Sequence, residues 1–381
     1  MRQSVRDMLH GGVDHSRLES KYHSLLNEKR TSIGYPVNQD WDFSELFKFL
    51  EVPVNNVGDP FQHSNYKLNT LEFEQEVIDA FAHFTQAPDD QCWGYVTSGG
   101  TEGNMYGLYL ARELYPKGMV YFSEETHYSV AKILRLQHTP SIMLRAQENG
   151  EMDYEDLRES LRINRHLPPI LFVNIGTTMK GAIDNLDKIK EILNDLAIRD
   201  YYIHCDGALH GMAMSFIDNP PAWNFADGAD SISISGHKWL GAPIPCGVAL
   251  AKNSHVERIS RAVEYVGVMD TTITGSRSGF SPLMLWYALR RHGEAGLRDM
   301  VRKSIELASY AVERFQNDGV EAWRNSNSPI VVFPRPGKKI IEKWAIAPSG
   351  GIGHIVCLPH MDRAVVDEFI EDYLSEKQSK A

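Results

Sequence analysis

The sequence predicts an α/β protein with a large, mixed but mostly parallel β-sheet and a smaller α+β domain at its C-terminal end. Between Trp93 and Leu250, short β-rich runs alternate with amphipathic helical stretches. Strands that alternate with helices form βαβ units, and these units give a mainly parallel sheet with helices on both faces. From Pro282 onwards the alternation stops, and a long helical segment leads into two short apolar runs. This change of pattern predicts a few antiparallel strands in a separate, smaller unit.

The elements of the large sheet can be located one by one. The predicted strands are, in chain order, WGYVTS, MVYFS, SIMLRA, PILFVNIG, YYIHCDGA, SISISGH and GVALA. Helical stretches such as NMYGLYLARELY, YSVAKILRLQ and LDKIKEILNDLA follow several of them. We expect an N-terminal arm or helical segment at 1–50, a large domain at 51–275 and a small domain at 276–381. Ligands of such sheets bind outside the carboxyl ends of the strands, so the residues just after the strands are the candidates for a site.

Composition narrows the class of function. The chain has 381 residues, of which 43% are hydrophobic and 23% are charged, as is ordinary for a globular protein with a large core. A net charge of -11 disfavours a nucleic-acid partner, which binds basic surfaces. The four cysteines are far apart and form no C-x-x-C pair, so neither a metal site nor a disulfide framework is predicted. The sequence has no apolar run suited to a secretory signal or a membrane span, and we expect a cytoplasmic protein.

The tetrapeptide SGHK directly follows the predicted strand SISIS and contains the most informative lysine. Most lysines are solvated surface charges, but Lys238 precedes the apolar, glycine- and proline-rich segment WLGAPIPCG. In such surroundings a lysine can lose its proton and form an imine with an aldehyde. The neighbouring Ser235 and His237 are candidate hydrogen-bond donors to a phosphate. Lys238 is therefore a candidate catalytic amine.

The segment HCDGA ends another predicted strand and contributes a carboxylate, Asp206. An aspartate at a strand end is often a helix cap. Alternatively, it pairs with a pyridinium nitrogen and keeps that ring protonated, so that the ring acts as an electron sink. Ala208, two residues later, would point to the same side and pack flat on the ring. An acid and a small residue about thirty positions before a candidate imine lysine favour the second interpretation.

The segment TSGGTEGN lies between the predicted strand WGYV and a predicted helix, and it indicates an anion site. Glycine lets the backbone approach an anion, and a helix N-terminus offers free N–H groups and a favourable dipole. The spacing differs from G-x-G-x-x-G and from G-x-x-x-x-G-K, the signatures of dinucleotide and nucleoside triphosphate sites. The alternative is an ordinary glycine turn. Beside the lysine and the aspartate, a single phosphate monoester is the favoured ligand.

Two further strand ends carry polar residues. His127 follows MVYFS, and its imidazole is a candidate to stack on a planar ring and face the substrate; the alternative is a structural histidine. The segment NIGTT ends another strand, and its threonine hydroxyls, that of Thr178 among them, are candidates to contact a cofactor or substrate. Five strand ends that each suit one part of an aldehyde-phosphate ring indicate a pyridoxal-phosphate site.

In this order, the motifs resemble those of the pyridoxal-phosphate-dependent amino-acid decarboxylases, often called group II. The matching segments, from about Ile33 to Pro359, are GYP, NNVGDPF…SNY, WGYVTSGGTEGN, THYSVAK, NIGTTMKGAIDN, HCDGALHGM, SGHKWLGAPIPCG and TITGSRSG. The similarity is greatest to bacterial pyridoxal-type histidine decarboxylases and plant serine decarboxylases. It implies the aspartate-aminotransferase-like fold (fold type I), with pyridoxal 5′-phosphate as cofactor and a small amino acid as substrate.

The resemblance also implies roles for individual residues. Lys238 would hold the cofactor as the internal aldimine, His127 would stack on its ring near the substrate, and Asp206 would hold the ring nitrogen. Ala208 would pack on the ring face. The implied phosphate site consists of Ser98, Gly99, Gly100, Thr101, Ser235 and His237. In this family the site lies between two subunits, so the resemblance implies a homodimer in which Ser276 reaches the partner's phosphate.

The sequence specifies the reaction more clearly than the substrate. NNVGDPFQHSNY and HCDGAL, with Gly207 where the bacterial histidine enzymes usually have alanine, are more similar to the serine branch. AWRNSNS and VVFPRP are more similar to the bacterial histidine branch. L-Histidine to histamine is the favoured reaction, and L-serine to ethanolamine is the alternative.

Other functions stay open on the same fold. An aminotransferase or a carbon–carbon lyase is one alternative, because Arg324 is available for a substrate carboxylate. A cofactor-binding protein without turnover is disfavoured because every expected catalytic position is filled. A nicotinamide oxidoreductase is disfavoured by the glycine spacing.

For decarboxylation, the candidate proton donors are Tyr265, His127 and Lys238.

Overall fold

The structure, a computed structural model, describes residues 12–263 and 268–378. The strands are β1 (Asn55–Val57), β2 (Cys92–Thr97), β3 (Met119–Ser123), β4 (Ser141–Leu144), β5 (Pro169–Asn174), β6 (Tyr202–Asp206), β7 (Ser231–Ser235), β8 (Gly247–Lys252), β9 (Arg261–Val263), β10 (Val268–Asp270), β11 (Ser276–Ser278), β12 (Ile330–Pro334), β13 (Ala347–Ser349) and β14 (Ile352–Val356). The helices, besides a 3₁₀ helix at Ser44–Glu51, are α1 (His15–Lys29), α2 (Leu71–Phe84), α3 (Gly100–Leu114), α4 (Ser129–Leu136), α5 (Tyr154–Ile163), α6 (Leu186–Asp195), α7 (His210–Met214), α8 (Asn253–Glu257), α9 (Phe280–Asn317), α10 (Lys338–Trp344) and α11 (Arg363–Gln378). None of the helices in the described part of the chain is a candidate membrane span.

The large sheet has seven strands in the order β2-β8-β7-β6-β5-β3-β4. Strands β7, β6, β5, β3 and β4 are parallel, and β8 is antiparallel to both of its neighbours, β7 and β2. All the runs that the sequence predicts as strands of this sheet are found in it, so the mostly parallel sheet is confirmed. β8 is the exception because it returns from β7 as a hairpin, with Ser235 paired to Gly247.

Helices cover both faces of the sheet, and the central strands are therefore apolar on both sides. Every residue of β5, β6 and β7 is buried. In β5, Leu171 and Val173 belong to the apolar cluster that includes residues of α6, whereas Ile170 and Phe172 belong to the cluster that includes residues of α3. The strand thus alternates between two clusters, as its two-residue side-chain period requires.

The C-terminal part has its own sheet and core. Its three antiparallel strands lie in the order β12-β14-β13, and Phe315 of α9 stacks on Phe333 of β12 with ring centroids 5.0 Å apart. α9 contains a kink at the non-helical Gly293 (φ 59, ψ 176). Its buried hydrophobic residues up to Val301 belong to the core of the large sheet, and those from Leu307 onwards belong to the core of the small one. The predicted long helix and antiparallel strands are confirmed, and the boundaries near 51 and 276 stay a prediction.

The N-terminal segment is helical, and its apolar side chains have no cover within one protomer. No residue of α1 is buried, and Leu18, Tyr22, Leu25 and Leu26 are 60%, 57%, 54% and 45% exposed. Their spacing of three and four residues puts these side chains on one side of the helix. Within the described part of the chain, this stripe stays largely exposed.

A buried ion pair joins α2 to the segment that precedes α9. One guanidinium nitrogen of Arg277 lies 2.9 and 3.0 Å from the two carboxylate oxygens of Glu74, and the side chains are 2% and 0% exposed. Glu74 also accepts hydrogen bonds from the amide of Val96 and the side chain of Asn56. The carboxylate therefore holds α2, β1, β2 and β11 together, and its charge is compensated inside the protein.

Replacing Arg277 by methionine is expected to lower the free energy of unfolding by about 3–5 kcal/mol, because the Glu74 carboxylate would stay buried without its cation. Urea-induced unfolding followed by far-UV circular dichroism measures the change. Arg162 is exposed and pairs with Glu159 on the same helix, so Arg162→Met is the control and should leave the unfolding midpoint unchanged. Equally small effects of the two substitutions would contradict the stabilising role of the buried pair.

Candidate active site

The polar residues that the sequence singles out follow strands that end at one edge of the large sheet. β7, β6, β5 and β3 are parallel, and β2, which is antiparallel to β8, runs in the same direction. Lys238, Asp206, Thr178, His127 and the glycine turn at 98–100 each follow the carboxyl end of one of these strands. The alternation of strands and helices therefore gathers residues that are far apart in the chain, as expected for this architecture.

Lys238 lies in the loop of the β7–β8 hairpin. Its carbonyl accepts a hydrogen bond from the amide of Asn38, at 2.8 Å, and the Asn38 side chain donates to the carbonyl of Trp239, at 2.9 Å. Burial lowers the pKa of the Lys238 amine, and the negative charge of Asp206 opposes that shift. An amine in this position loses its proton more easily than a surface lysine does, which suits it to nucleophilic attack on a carbonyl group.

Asp206 is the last residue of β6 and is 7% exposed. Its Oδ2 accepts a hydrogen bond from Nδ2 of Asn104, at 2.8 Å, and its Oδ1 accepts one from the amide of Ala208, at 3.1 Å. Asp206 is not a helix cap, because the next helix begins at His210 with Leu209 as its N-cap residue. The carboxylate is held in one orientation and keeps lone pairs for a further donor.

Small residues let the N-terminus of α3 approach the loops that follow β6 and β7. Gly99 has a φ of 145°, a value that favours glycine, and α3 begins at Gly100. A Cβ atom on Gly100 would lie 2.9 Å from Oγ of Ser235 and 3.3 Å from Cβ of Ala208. A Cβ atom on Gly99 would lie 3.8 Å from Cε1 of His237. The glycine turn, Ala208, Ser235 and His237 therefore converge on one place at the edge of the sheet.

The same turn offers hydrogen-bond donors. In the part of the chain that the structure describes, the amides of Gly100 and Thr101 make no hydrogen bond, and they lie at the positive end of the α3 dipole. The hydroxyl of Ser235 lies beside them, and Nδ1 of His237 contacts the carbonyl of Cys246 at 2.8 Å. Backbone amides at a helix N-terminus with a nearby hydroxyl are suited to a phosphate group.

Ser98, which is one of the predicted phosphate ligands, is bound to Glu102 in this structure. Its amide and its hydroxyl both donate to one carboxylate oxygen of Glu102, each at 2.7 Å. The other oxygen of Glu102 accepts hydrogen bonds from the hydroxyls of Tyr95 and Thr274. Both donors of Ser98 are engaged by this carboxylate, an interaction that fixes the turn, and the role of Ser98 at the phosphate stays a prediction.

His127 lies between β3 and α4 and is half-buried. Its Nδ1 lies 2.8 Å from the hydroxyl and 3.4 Å from the amide of Ser129. Since an amide can only donate, Nδ1 is the acceptor, and the proton of the neutral ring is on Nε2. Burial lowers the pKa of His127, and the charges of Asp206 and Lys238 act on this pKa in opposite directions. His127 is therefore near both residues.

Two of the predicted residues have no hydrogen bond to this cluster within the described part of one protomer. Thr178 is exposed in the turn after β5, whereas the hydroxyl of Thr177 is buried and accepts a hydrogen bond from the amide of Ala182, at 3.0 Å. Ser276 lies in β11, and its hydroxyl accepts a hydrogen bond from Asn55, at 3.2 Å. Tyr265, a candidate proton donor, lies outside the described residues.

Sequence reasoning missed three residues that organise this edge: Glu102, Asn104 and His204. Glu102 and Asn104 lie inside TSGGTEGN. The glycines of this segment account for an anion site by themselves, so no role is predicted for its polar side chains. His204 lies two residues before Asp206, and the two-residue period of a strand puts both on the same face of β6. That spacing is the signal that could have identified His204.

The chemistry of these residues fits pyridoxal 5′-phosphate. Lys238 offers an amine of lowered pKa to the aldehyde, and Asp206 offers a buried carboxylate to the ring nitrogen. Free amides at the start of α3 suit the phosphate, and a small side chain, Ala208, lies between these groups.

Comparisons with known proteins agree with this fit. The model of the pyridoxal-dependent decarboxylase conserved domain matches residues 61–334. A histidine decarboxylase of Pseudomonas entomophila is 47% identical over 369 residues, which are 96% of this chain and 92% of that protein. A histidine decarboxylase of Morganella morganii is 44% identical over 366 residues, which are 95% of this chain and 97% of that protein.

Two solved structures of decarboxylases have the same fold. The L-methionine decarboxylase of Streptomyces sp. 590 has a TM-score of 0.86 at 26% identity, and the match covers 96% of each chain. The glutamate decarboxylase of Lactobacillus brevis has a TM-score of 0.77 at 16% identity, covers 97% of this chain and 93% of its own, and bears on the fold alone. The predicted type I fold of pyridoxal-phosphate enzymes is confirmed. Since the family model covers most of the sequence and the relatives match nearly all of it, the chain belongs to the pyridoxal-dependent decarboxylase family, whose cofactor is pyridoxal 5′-phosphate.

Proposed function

We propose that the chain converts L-histidine to histamine and carbon dioxide. The observation that supports this substrate is the similarity to histidine decarboxylases, at 44% and 47% identity over 97% and 92% of their lengths. The site itself supports the reaction type, because Lys238, Asp206 and His127 lie at or just after the carboxyl ends of strands at the same edge of the sheet.

Each part of the site has a proposed task. Pyridoxal 5′-phosphate, when bound, supplies an aldehyde for the substrate amine and a ring that withdraws electrons from the α-carbon. Lys238 presents an amine of lowered pKa to the aldehyde, and Ala208 packs on the ring face. Asp206 accepts a hydrogen bond from the ring nitrogen, and its negative charge keeps the proton on that nitrogen. The amides of Gly100 and Thr101 bind the phosphate, together with Ser235 and His237.

We assign to His127 the contact with the ring and the substrate side of the pocket. As Nδ1 accepts from Ser129, the proton of His127 is on Nε2, and this N–H is available to donate a hydrogen bond on the substrate side. The candidates for the proton donor to the α-carbon are still Tyr265, His127 and Lys238.

The surroundings of Arg324 disfavour an aminotransferase. Its guanidinium donates to the carbonyls of Asn325, Ser326 and Ser328, at 3.1, 3.3 and 3.3 Å, and to the hydroxyl of Ser309, at 2.9 Å. Three of these bonds hold Nη1 within the loop before β12, and the fourth joins Nη2 to α9. The guanidinium thus has a structural task of its own, and this disfavours the carboxylate-binding role that would have favoured transamination.

We also infer that the active species is a homodimer. The uncovered stripe of Leu18, Tyr22, Leu25 and Leu26 on α1 suits burial against a second copy of the chain. The exposure of Ser276 suits contact with a partner's phosphate site.

A cytoplasmic location is supported by the four free cysteines, since reduced thiols are usual in that compartment.

A panel of the twenty standard amino acids, assayed with added pyridoxal 5′-phosphate, tests the substrate. We expect L-histidine to have the highest kcat/KM, about 100-fold or more above L-serine, because a pocket that hydrogen-bonds an imidazole leaves polar groups unpaired around a smaller substrate. Release of carbon dioxide and of the amine is measured by chromatography. A higher kcat/KM for L-serine would support the alternative decarboxylase, and accumulation of a keto acid would support an aminotransferase.

Lys238→Ala is expected to abolish both turnover and the visible absorbance of a lysine-linked cofactor, because the only side chain assigned to the aldehyde is removed. Far-UV circular dichroism should stay unchanged. Lys117 is exposed and precedes β3, at the opposite edge of the sheet, so Lys117→Ala is the control and should keep both signals. A Lys238→Ala protein that retains the absorbance would refute the assignment.

The double substitution Leu18→Glu with Tyr22→Glu is expected to convert the dimer into a species of one chain mass, 43.1 kDa, because two charges on the α1 stripe would have to be buried at the interface. Sedimentation equilibrium measures the mass. Leu136, 73% exposed on α4, is the control, and Leu136→Glu should leave the dimer intact. A wild-type protein of one chain mass, or a double variant that still dimerises, would contradict this part of the proposal.

A further inference from the structure

A chain of hydrogen bonds runs from β7 to Asp206 through residues that have no task in the reaction described above. Oγ of Ser231 lies 2.7 Å from Nδ1 of His204, and Nε2 of His204 lies 3.0 Å from Oδ1 of Asn104. Nδ2 of Asn104 lies 2.8 Å from Oδ2 of Asp206. The four side chains belong to residues that are 1%, 0%, 2% and 7% exposed, so bulk water does not compete for these groups.

One arrangement of protons satisfies every link of this chain. Ionised Asp206 can only accept, so Asn104 turns its NH₂ group toward Asp206 and its carbonyl oxygen toward His204. Nε2 of His204 must then donate. Burial lowers the pKa of His204 to about 4, against the opposing effect of Asp206, so the ring is neutral at pH 7 and its Nδ1 accepts from Ser231. Every donor in the chain therefore points toward Asp206.

The close approach of α3 to β6 and β7 holds this chain in place. A Cβ atom on Gly107 would lie 2.1 Å from Nδ1 of His204, and one on Gly103 would lie 2.2 Å from Oγ of Ser233. Both positions therefore need glycine. The ring of Phe172 lies next to the imidazole of His204, with centroids 5.1 Å apart. The imidazole has no room to turn away from Asn104.

We propose that Asn104, supported by His204 and Ser231, is a positioning residue that aims the carboxylate of Asp206 at the ring nitrogen of pyridoxal 5′-phosphate. The inference rests on the proposed role of Asp206. The hydrogen bond from Nδ2 of Asn104 to Oδ2 fixes the orientation of the carboxylate and leaves its other lone pairs for the ring nitrogen. Because the donor is an uncharged amide and not a lysine or arginine, the full negative charge stays available to the ring nitrogen.

The analogue 1-deazapyridoxal 5′-phosphate, which has a C–H group in place of the ring nitrogen, separates this role from a general structural one. The Kd of each ligand is measured on the full-length apoprotein by quenching of tryptophan fluorescence. Asn104→Ala is expected to weaken binding of the natural cofactor by roughly tenfold, the effect of one hydrogen bond to a charged group, and binding of the analogue by less than about twofold. Equal weakening of both ligands would overturn the proposal.

Two serines of β7 provide a matched pair of variants. Ser231 and Ser233 are both buried and both face α3, but only Ser231 belongs to the chain that ends on Asp206. Ser231→Ala is expected to reduce the preference for the natural cofactor over the analogue by roughly threefold, and Ser233→Ala should leave this preference unchanged. If Asn104→Ala does not fold, this pair decides the question, and equal preferences in the two serine variants would contradict the proposal.

Asp206→Asn distinguishes the two ways in which the experiment can fail. If Asp206→Asn leaves the preference for the natural cofactor unchanged, the proposed role of Asp206 is wrong, and the inference about Asn104 falls with it. If Asp206→Asn removes the preference and Asn104→Ala does not, the role of Asp206 stands and the inference about Asn104 alone is wrong.

Discussion

The contact between α3 and the strands β6 and β7 is the constraint on which the active site depends. Three glycines of α3, at positions 100, 103 and 107, recur every three or four residues and so lie on one face of the helix. Because these positions lack side chains, Ala208, Ser233 and His204 fit between the helix and the sheet. The same contact points the N-terminus of α3 at the edge of the sheet and brings Asn104 to Asp206.

The protein treats its buried carboxylates in two different ways. Glu74, which joins four elements, is neutralised by Arg277, and Asp230 similarly lies 2.7 Å from Lys252. Asp206, in contrast, accepts hydrogen bonds from uncharged groups, the amide side chain of Asn104 and the backbone of Ala208. Glu102, whose task is to fix the turn, is likewise held by uncharged donors, so such donors do not by themselves identify a carboxylate that acts on a ligand. At Asp206 they leave the ring nitrogen without a competing arginine or lysine ion pair at the carboxylate.

Much of the fold and part of the site could be predicted from the sequence because both follow local patterns. Alternating strand and helix signals predicted the sheet, and the positions of Lys238 and Asp206 after strands predicted that they lie at one edge. Interactions between distant elements could not be predicted in this way. Asn104 meets His204 only because α3 packs closely on β6, and Ser98 turns to Glu102 because the helix begins within the same turn. The occupation of Arg324 likewise depends on the fold of one loop.

Lys238 differs from the other residues of this edge because it lies in a loop between two antiparallel strands and not between a strand and a helix. After β3, β5 and β6 the chain continues into a helix, whereas after β7 it returns through the loop 236–246 as β8, and Ser235 pairs with Gly247 at the base of this loop. If β8 shifted by one residue relative to β7, the side chains of Val248 and Leu250 would move from their apolar cluster to the opposite face of the sheet. The loop that contains Lys238 would shift as well. The position of the Lys238 amine therefore depends on apolar side chains of β8 that do not contact a ligand. Any substitution that changes the packing of this hairpin is also expected to displace the nucleophile.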